Sequence, residues 1–209
     1  MSNEANLYPG LNLGEGHGEA HEQAENTVFG FWVFLMSDLI IFGILFASYA
    51  SYLDPMGMAG GPGPHDLFDV KSVAIQTGFL LVGGVAYGGV SLAMKYEKSR
   101  DAVIAALLVC AALGAGFLFF EVKDFVSQAG KGGLPQVSGW ISSYWALVGL
   151  HGIHVFSGIL WIFATIAQIL VRGLDDVVKV RLSMLGVFWH FLDLVWVAIF
   201  SFVFLVPLA

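Results

Sequence analysis

Five long apolar stretches, separated by short polar or glycine-rich segments, organise this chain: Val28 to Leu53, Ser72 to Met94, Ala102 to Phe120, Ile141 to Val171 and Leu182 to Ala209. Each is long enough to cross a hydrocarbon core of about 30 Å, which takes roughly 20 helical residues. Together they hold two charged residues, Asp38 and Asp193. The pattern predicts an all-α integral membrane bundle of five transmembrane helices, at about 28–53, 70–95, 102–126, 141–171 and 182–207. An acidic polar N-terminal tail, residues 1–27, precedes this five-helix membrane domain of residues 28–209.

The residues between the stretches punctuate them. Asn26 or Thr27 is placed to N-cap the first helix, and the Gly-Pro-rich stretch from Asp54-Pro55 to Gly63-Pro64 ends it in an outer loop reaching about Lys71. Tyr96 to Asp101 reads as a tight inner turn. The third helix runs past Phe120 into Glu121, Val122, Lys123 and Asp124, which puts Glu121 at an outer helix end near water. Gly130, Gly132, Gly133 and Pro135 form a second outer loop, followed by Trp140, Tyr144 and Trp145 at the depth where aromatic belts form. Arg172 to Arg181 is the last inner turn. With no internal repeat, the chain lacks the signature of an inverted-repeat transporter.

Composition agrees: 57% of the 209 residues are hydrophobic and 12% charged, against about 25% charged in soluble domains. One tail and four short loops leave no room for an extramembrane catalytic or nucleic-acid-binding domain. The single cysteine, Cys110, is mid-span, so no disulfide, zinc knuckle or iron-sulfur cluster can be built from this chain alone. The tail carries Glu4, Glu15, Glu19, Glu22 and Glu25 without Lys or Arg, which does not read as a cleavable signal. The net charge of −7 resides largely in that tail and gives no reason to expect nucleic acid as a partner. Basic residues set the orientation. With the N-terminus inside, Lys95, Lys98, Arg100, Arg172, Lys179 and Arg181 are inner, against Lys71, Lys123 and Lys131 outer. The expectation is a cytoplasmic N-terminus and a periplasmic C-terminus.

Small residues line one side of the second helix, where Gly84 and Gly88 form GxxxG with Gly83 and Gly89 beside them; Ala112 and Gly116 repeat the spacing in the third. Such rows let backbones approach closely and predict a tight bundle or a docking face. The ionisable residues inside the spans are costly and usually face protein or water. Asp38, His151, His154, His190 and Asp193 all fall near mid-membrane depth at 1.5 Å per residue, so they can share one buried polar layer. Three uses are open for the histidines. They could be polar glue between helices, with Asp193 one turn from His190; a bis-His haem or copper site across the fourth and fifth spans; or part of a proton pathway. A b-type haem protein and a small channel or transporter are the matching rival classes. Asp38, among Met36, Leu39, Ile40, Ile41 and Phe42, pays heavily for being charged. It is the candidate for reaction with hydrophobic carbodiimides, ahead of Glu121 and Asp124, with Asp193 as its nearest competitor.

Four motifs in order, Phe29-Gly-Phe-Trp-Val-Phe-Leu-Met-Ser-Asp38, Gly114-Ala-Gly-Phe-Leu-Phe-Phe-Glu121, His151-Gly-Ile-His-Val-Phe-Ser-Gly158 with Trp161, and Trp189-His-Phe-Leu-Asp-Leu-Val-Trp196, resemble segments of subunit III of haem-copper terminal oxidases. The five-span length and acidic tail look most like the bo-type ubiquinol oxidase version. The resemblance implies an accessory, non-catalytic subunit of an oxygen-reducing, proton-translocating complex in the bacterial inner membrane. It implies no catalytic, cofactor-binding or metal-ligating residue here: haems and copper belong to subunit I, the main contact, with subunit II and a small subunit IV as further partners. It also implies that the chain stabilises the large subunit and holds phospholipid, and that Asp38 stands where many relatives carry a carbodiimide-reactive intramembrane Glu. Mitochondrial-type members have two further N-terminal helices, whose place the large subunit is expected to fill in quinol oxidases. Subunit III of a cytochrome c oxidase is the alternative.

Overall fold

A computed structural model of the chain describes residues 17–95 and 99–208. Every regular element among them is helical: α1 (His17–Ser51), α2 (Pro55–Met58), α3 (Pro64–Leu67), α4 (Val70–Lys95), α5 (Arg100–Gly130), α6 (Gly139–Arg172) and α7 (Asp176–Ile199). The five long helices are the five apolar stretches, each long and apolar enough to cross a membrane. Glu4, Glu15 and the first half of the Tyr96–Asp101 turn, residues 96–98, lie outside the described residues.

The helix ends differ from expectation where capping chemistry decides them. Helix α1 is already formed at His17, because the run from Glu19 to Glu25 is rich in Glu, Ala and Gln, good helix formers despite their polarity. Asn26 and Thr27 are therefore helix interior and cap nothing. At the turn before the last long helix, Asp175 accepts the amide of Val178 at 2.8 Å and starts α7 at Asp176. The turn shrinks to Gly173, Leu174 and Asp175, and Arg181 lies within the helix, where its guanidinium donates to Gln168 Oε1 on α6 at 2.7 Å. Ser138 caps α6 by accepting the amide of Ile141. The Gly-Pro loop folds into α2, capped by Asp54, and α3, each with proline in its first turn.

Helices α4 to α7 form the packed block, and α1 lies on its flank against α6 and α7. Its contact is a narrow seam, Leu35, Phe42 and Tyr49 spaced by sevens, while Phe29, Phe34, Ile40 and Ile44 face outward. In α5 the buried positions Val103, Leu107, Cys110, Gly114, Phe117, Glu121 and Gln128 follow the same three-four spacing. Helix α7 continues through Phe200–Leu205 in wide π turns. Pro207, which has no amide to continue the ladder, follows shortly after. Tyr49 of α1 reaches this segment, its hydroxyl donating to Val203 O at 3.1 Å.

The glycine rows are used in part. Gly83 and Gly84 face α7, and a β-carbon on Gly84 would overlap the Asp193 carboxylate; Gly116 packs on Phe79. Gly88 and Gly89 face open space, and Ala112 is exposed.

Candidate functional site

The polar residues of the interior do not all meet one another. They fall into separate arrangements, each fixed by a different helix contact.

Asp38 and His154 meet across the α1–α6 seam, with Asp38 Oδ2 3.7 Å from His154 Nε2. The other ring nitrogen, Nδ1, lies 2.8 Å from the carbonyl of Leu150 one turn back. With Nδ1 turned to that carbonyl, Nε2 is the ring nitrogen that faces the Asp38 carboxyl. Phe42, on the turn after Asp38, closes the pair from above, its ring 5.4 Å from that of His154. Asp38 therefore has a partner that its sequence neighbours do not reveal, and it is half-buried at the edge of the lipid-facing surface of α1.

His151 is enclosed completely. Its ring stacks on Trp196 of α7 at 5.2 Å and meets the edge of Phe117 of α5 at 5.6 Å. Neither ring nitrogen has a hydrogen-bond partner among the described residues. It is held by aromatic faces where three helices converge. Trp196 is fixed in turn by Nε1 donating to Thr77 Oγ1 of α4 at 3.0 Å.

Glu121 is the chief correction. It was expected at an outer helix end, near water; the structure buries it at 4% exposure, well before the end of α5. It occupies the same seam as Gly114 and Phe117, and its carboxyl lies against the backbone of Gly152, where any β-carbon would come within 2.7 Å of both oxygens. Its three-four spacing from Phe117 and Gly114 was the signal that could have found it. Asp124, one turn on, accepts from Ser72 Oγ at 2.8 Å and Gln76 Nε2 at 2.6 Å, pinning the end of α5 to the start of α4.

His190 and Asp193 pair along α7, Nδ1 to Oδ2 at 3.5 Å. His190 does not oppose His151 and His154: its side chain is 56% exposed and turned to the other side of α7, beside the ring of Tyr87. There it lines an apolar cleft of about 580 Å³ between α1, α4 and α7, with Trp32, Met36, Ser91, Ser183 and Phe191 among its walls. No group of three or more His, Cys, Asp or Glu side chains converges as a metal-ligand set among the described residues. Chemically, the arrangement can tie helices together and admit an apolar chain into the cleft.

Fold and site thus define a multi-pass helical membrane protein whose interior polar groups are in part paired between helices, Asp38 with His154 and Asp124 with Ser72 and Gln76, and in part enclosed without a hydrogen-bond partner among the described residues, His151 and Glu121. The profile of the family described as cytochrome c oxidase subunit III matches residues 13–207. The chain belongs to that family. It is 39% identical over 193 residues to the cytochrome bo(3) ubiquinol oxidase subunit 3 of Pseudomonas aeruginosa, covering 92% of this chain and 91% of that one. With the protein of the same description from Pseudomonas putida the identity is 40% over 185 residues, 88% of each chain. With the quinol oxidase subunit 3 of Bacillus subtilis it is 33% over 187 residues, 90% of each.

Proposed function

We propose that this chain is the accessory subunit III of a respiratory haem-copper ubiquinol oxidase, non-redox itself. In this reading it packs against and stabilises the catalytic large subunit, alongside subunit II and a small subunit IV. The observation that carries the reading is its near full-length likeness to proteins described as ubiquinol oxidase subunit 3. The use of the interior polar groups for helix packing supports it. Haems and copper then reside in the large subunit, and Asp38, His151, His154, His190, Asp193 and Glu121 hold structure.

The cleft beside His190 is the place for phospholipid in this reading. Its volume lies within the range of about 300–1,000 Å³ usual for ligand sites, and its walls are mostly apolar side chains on three helices. The outward face of α1, with Phe34, Ile40 and Ile44 exposed, suits lipid or a neighbouring subunit. The protein sits in the bacterial inner membrane, N-terminus cytoplasmic and C-terminus periplasmic, on the distribution of its basic residues.

Asp38 supplies the test. It lies at the lipid-side edge of the seam, whereas Glu121 is enclosed, so a hydrophobic carbodiimide should label Asp38 ahead of Glu121 and Asp193 on peptide mass mapping of the purified complex. Asp38→Asn keeps size and polarity at the His154 contact. The complex should assemble with a full haem complement and start turning over oxygen within about two-fold of wild type, since a packing residue makes no transition-state contact. Loss of activity over many turnovers should be faster. Immediate abolition of oxygen reduction in an assembled, haem-replete complex would make Asp38 catalytic and end the accessory reading.

A further inference from the structure

At the opposite end of α4 from the cleft, the three outer lysines come together. Lys71, Lys123 and Lys131 all line one pocket of about 260 Å³ between the start of α4 and the last turns of α5, together with Asp69, Asp124 and Ser127. Lys71 is far in sequence from Lys123 and Lys131, and the packing of α4 on α5 brings it to them. Among the described residues none of the three forms an ion pair with a carboxylate. Lys131 spends one N–H on the carbonyl of Asp66 at 3.1 Å and Lys123 rests over the Phe120 ring, so both ammonium groups are held in place with N–H groups to spare.

The acids in the pocket are placed differently. Asp124 takes one bond on each oxygen, from Ser72 and Gln76, and a carboxylate accepts about four. Asp69 is exposed and accepts the amide of Lys71 at 3.0 Å. The pocket thus offers three cations and two carboxylates with free lone pairs. The depth also fits a lipid headgroup. At 1.5 Å per residue α5 is about 46 Å long against a hydrocarbon core of about 30 Å, so its last turns stand in the headgroup region. Trp145, which donates to Gly133 O and packs on Phe125, marks the same level. Below the charges the lining is apolar, Ile75 and Phe120, the direction an acyl chain takes.

We infer that this pocket binds the headgroup of a phosphatidylethanolamine, its phosphate on Lys71, Lys123 and Lys131 and its ammonium on Asp69 and Asp124. The mixed charge selects the headgroup. A purely anionic one leaves the carboxylates facing a negative ligand, and a choline has no N–H to give them.

Native mass spectrometry of the full chain, delipidated in neutral detergent and offered dioleoyl phosphatidylethanolamine, phosphatidylglycerol or phosphatidylcholine, tests the site. The ethanolamine lipid should give an adduct that is lost in part, its affinity weakened at least about ten-fold, in a Lys71→Gln/Lys123→Gln/Lys131→Gln variant. The exposed Asp69→Asn, which does not threaten the fold, should shift preference toward phosphatidylglycerol. Val85→Ala, on an exposed apolar position of α4 outside both the pocket and the cleft, should leave the adduct unchanged. Millimolar inorganic phosphate should not displace the lipid; complete displacement would make this a free-anion site and overturn the proposal. So would a folded triple-lysine variant that binds as wild type, or a wild-type preference for phosphatidylglycerol that Asp69→Asn does not alter.

Discussion

Helices α1 and α7 are similar in length and apolar character, yet half of the apolar window of α7 is buried and only 11% of that of α1. Hydrophobicity therefore does not distinguish a core helix from a flank helix in a membrane, because lipid is as apolar as a leucine side chain. What distinguishes them is shape and polarity. Helix α7 sits among α1, α4 and α6, with glycines on its neighbours giving way to its large residues: Gly84 to Asp193, Gly114 and Gly158 to Trp189. Helix α1 is fastened along one seam, which carries the Asp38–His154 contact and the hydroxyl bond of Tyr49 to Val203.

The same substitution made in both regions should break the comparison if it is wrong. Gly114→Val puts a branched side chain where even a β-carbon would lie 2.9 Å from Trp189 and 3.3 Å from Ile159, both buried. The cost should be about 2–3 kcal/mol, as for overpacked cores, seen as a clear fall in the melting temperature of the detergent-solubilised chain. Tyr49→Phe removes the donor to Val203 O and should cost about 1 kcal/mol. Because that bond anchors α1, protease nicking of the Asp54–Pro64 loop should rise as well. The smallest change is expected for Gly43→Val, whose β-carbon meets nothing within 4 Å. Melting of the isolated chain should move by no more than the helix-propensity difference, within about 1 kcal/mol. If Gly43→Val destabilised the isolated chain as much as Gly114→Val, α1 would have to count as part of the block.

The five helices were legible because depth in a membrane is a linear quantity: apolar runs of sufficient length, ended by Pro55, Lys95 and Pro135, leave little choice. Their ends were less so. Asp175 starts α7 well ahead of its apolar run, since a cap and a good first turn carry a helix beyond the hydrocarbon. Depth also put Asp38, His151, His154, His190 and Asp193 at one level. It could not tell which of them meet, since that depends on the rotation of each helix against partners far away in sequence. So Asp38 found His154, His190 turned to the cleft, and Glu121, read as outer because of its charged neighbours, belongs to the seam of α5. The heptad-like run from Val103 to Gln128 did carry that information. The charge of Lys123 and Asp124 obscured it, although both fall off the seam.

The hydroxyl of Tyr49 and the carbonyl of Val203 are separated by 154 residues, and this fixes an order of events in biogenesis. Helix α1 packs mainly on α6 and α7, which are made after it. At synthesis rates of about 5–20 residues per second it waits on the order of ten seconds or more before its acceptor exists. Meanwhile α4 and α5, neighbours in sequence, can already dock. Until α6 is made, Asp38 has no His154 to face, and until the end of α7 is made Tyr49 has no Val203 carbonyl. The contacts that fasten α1 to its own bundle are thus among the last that the growing chain can form.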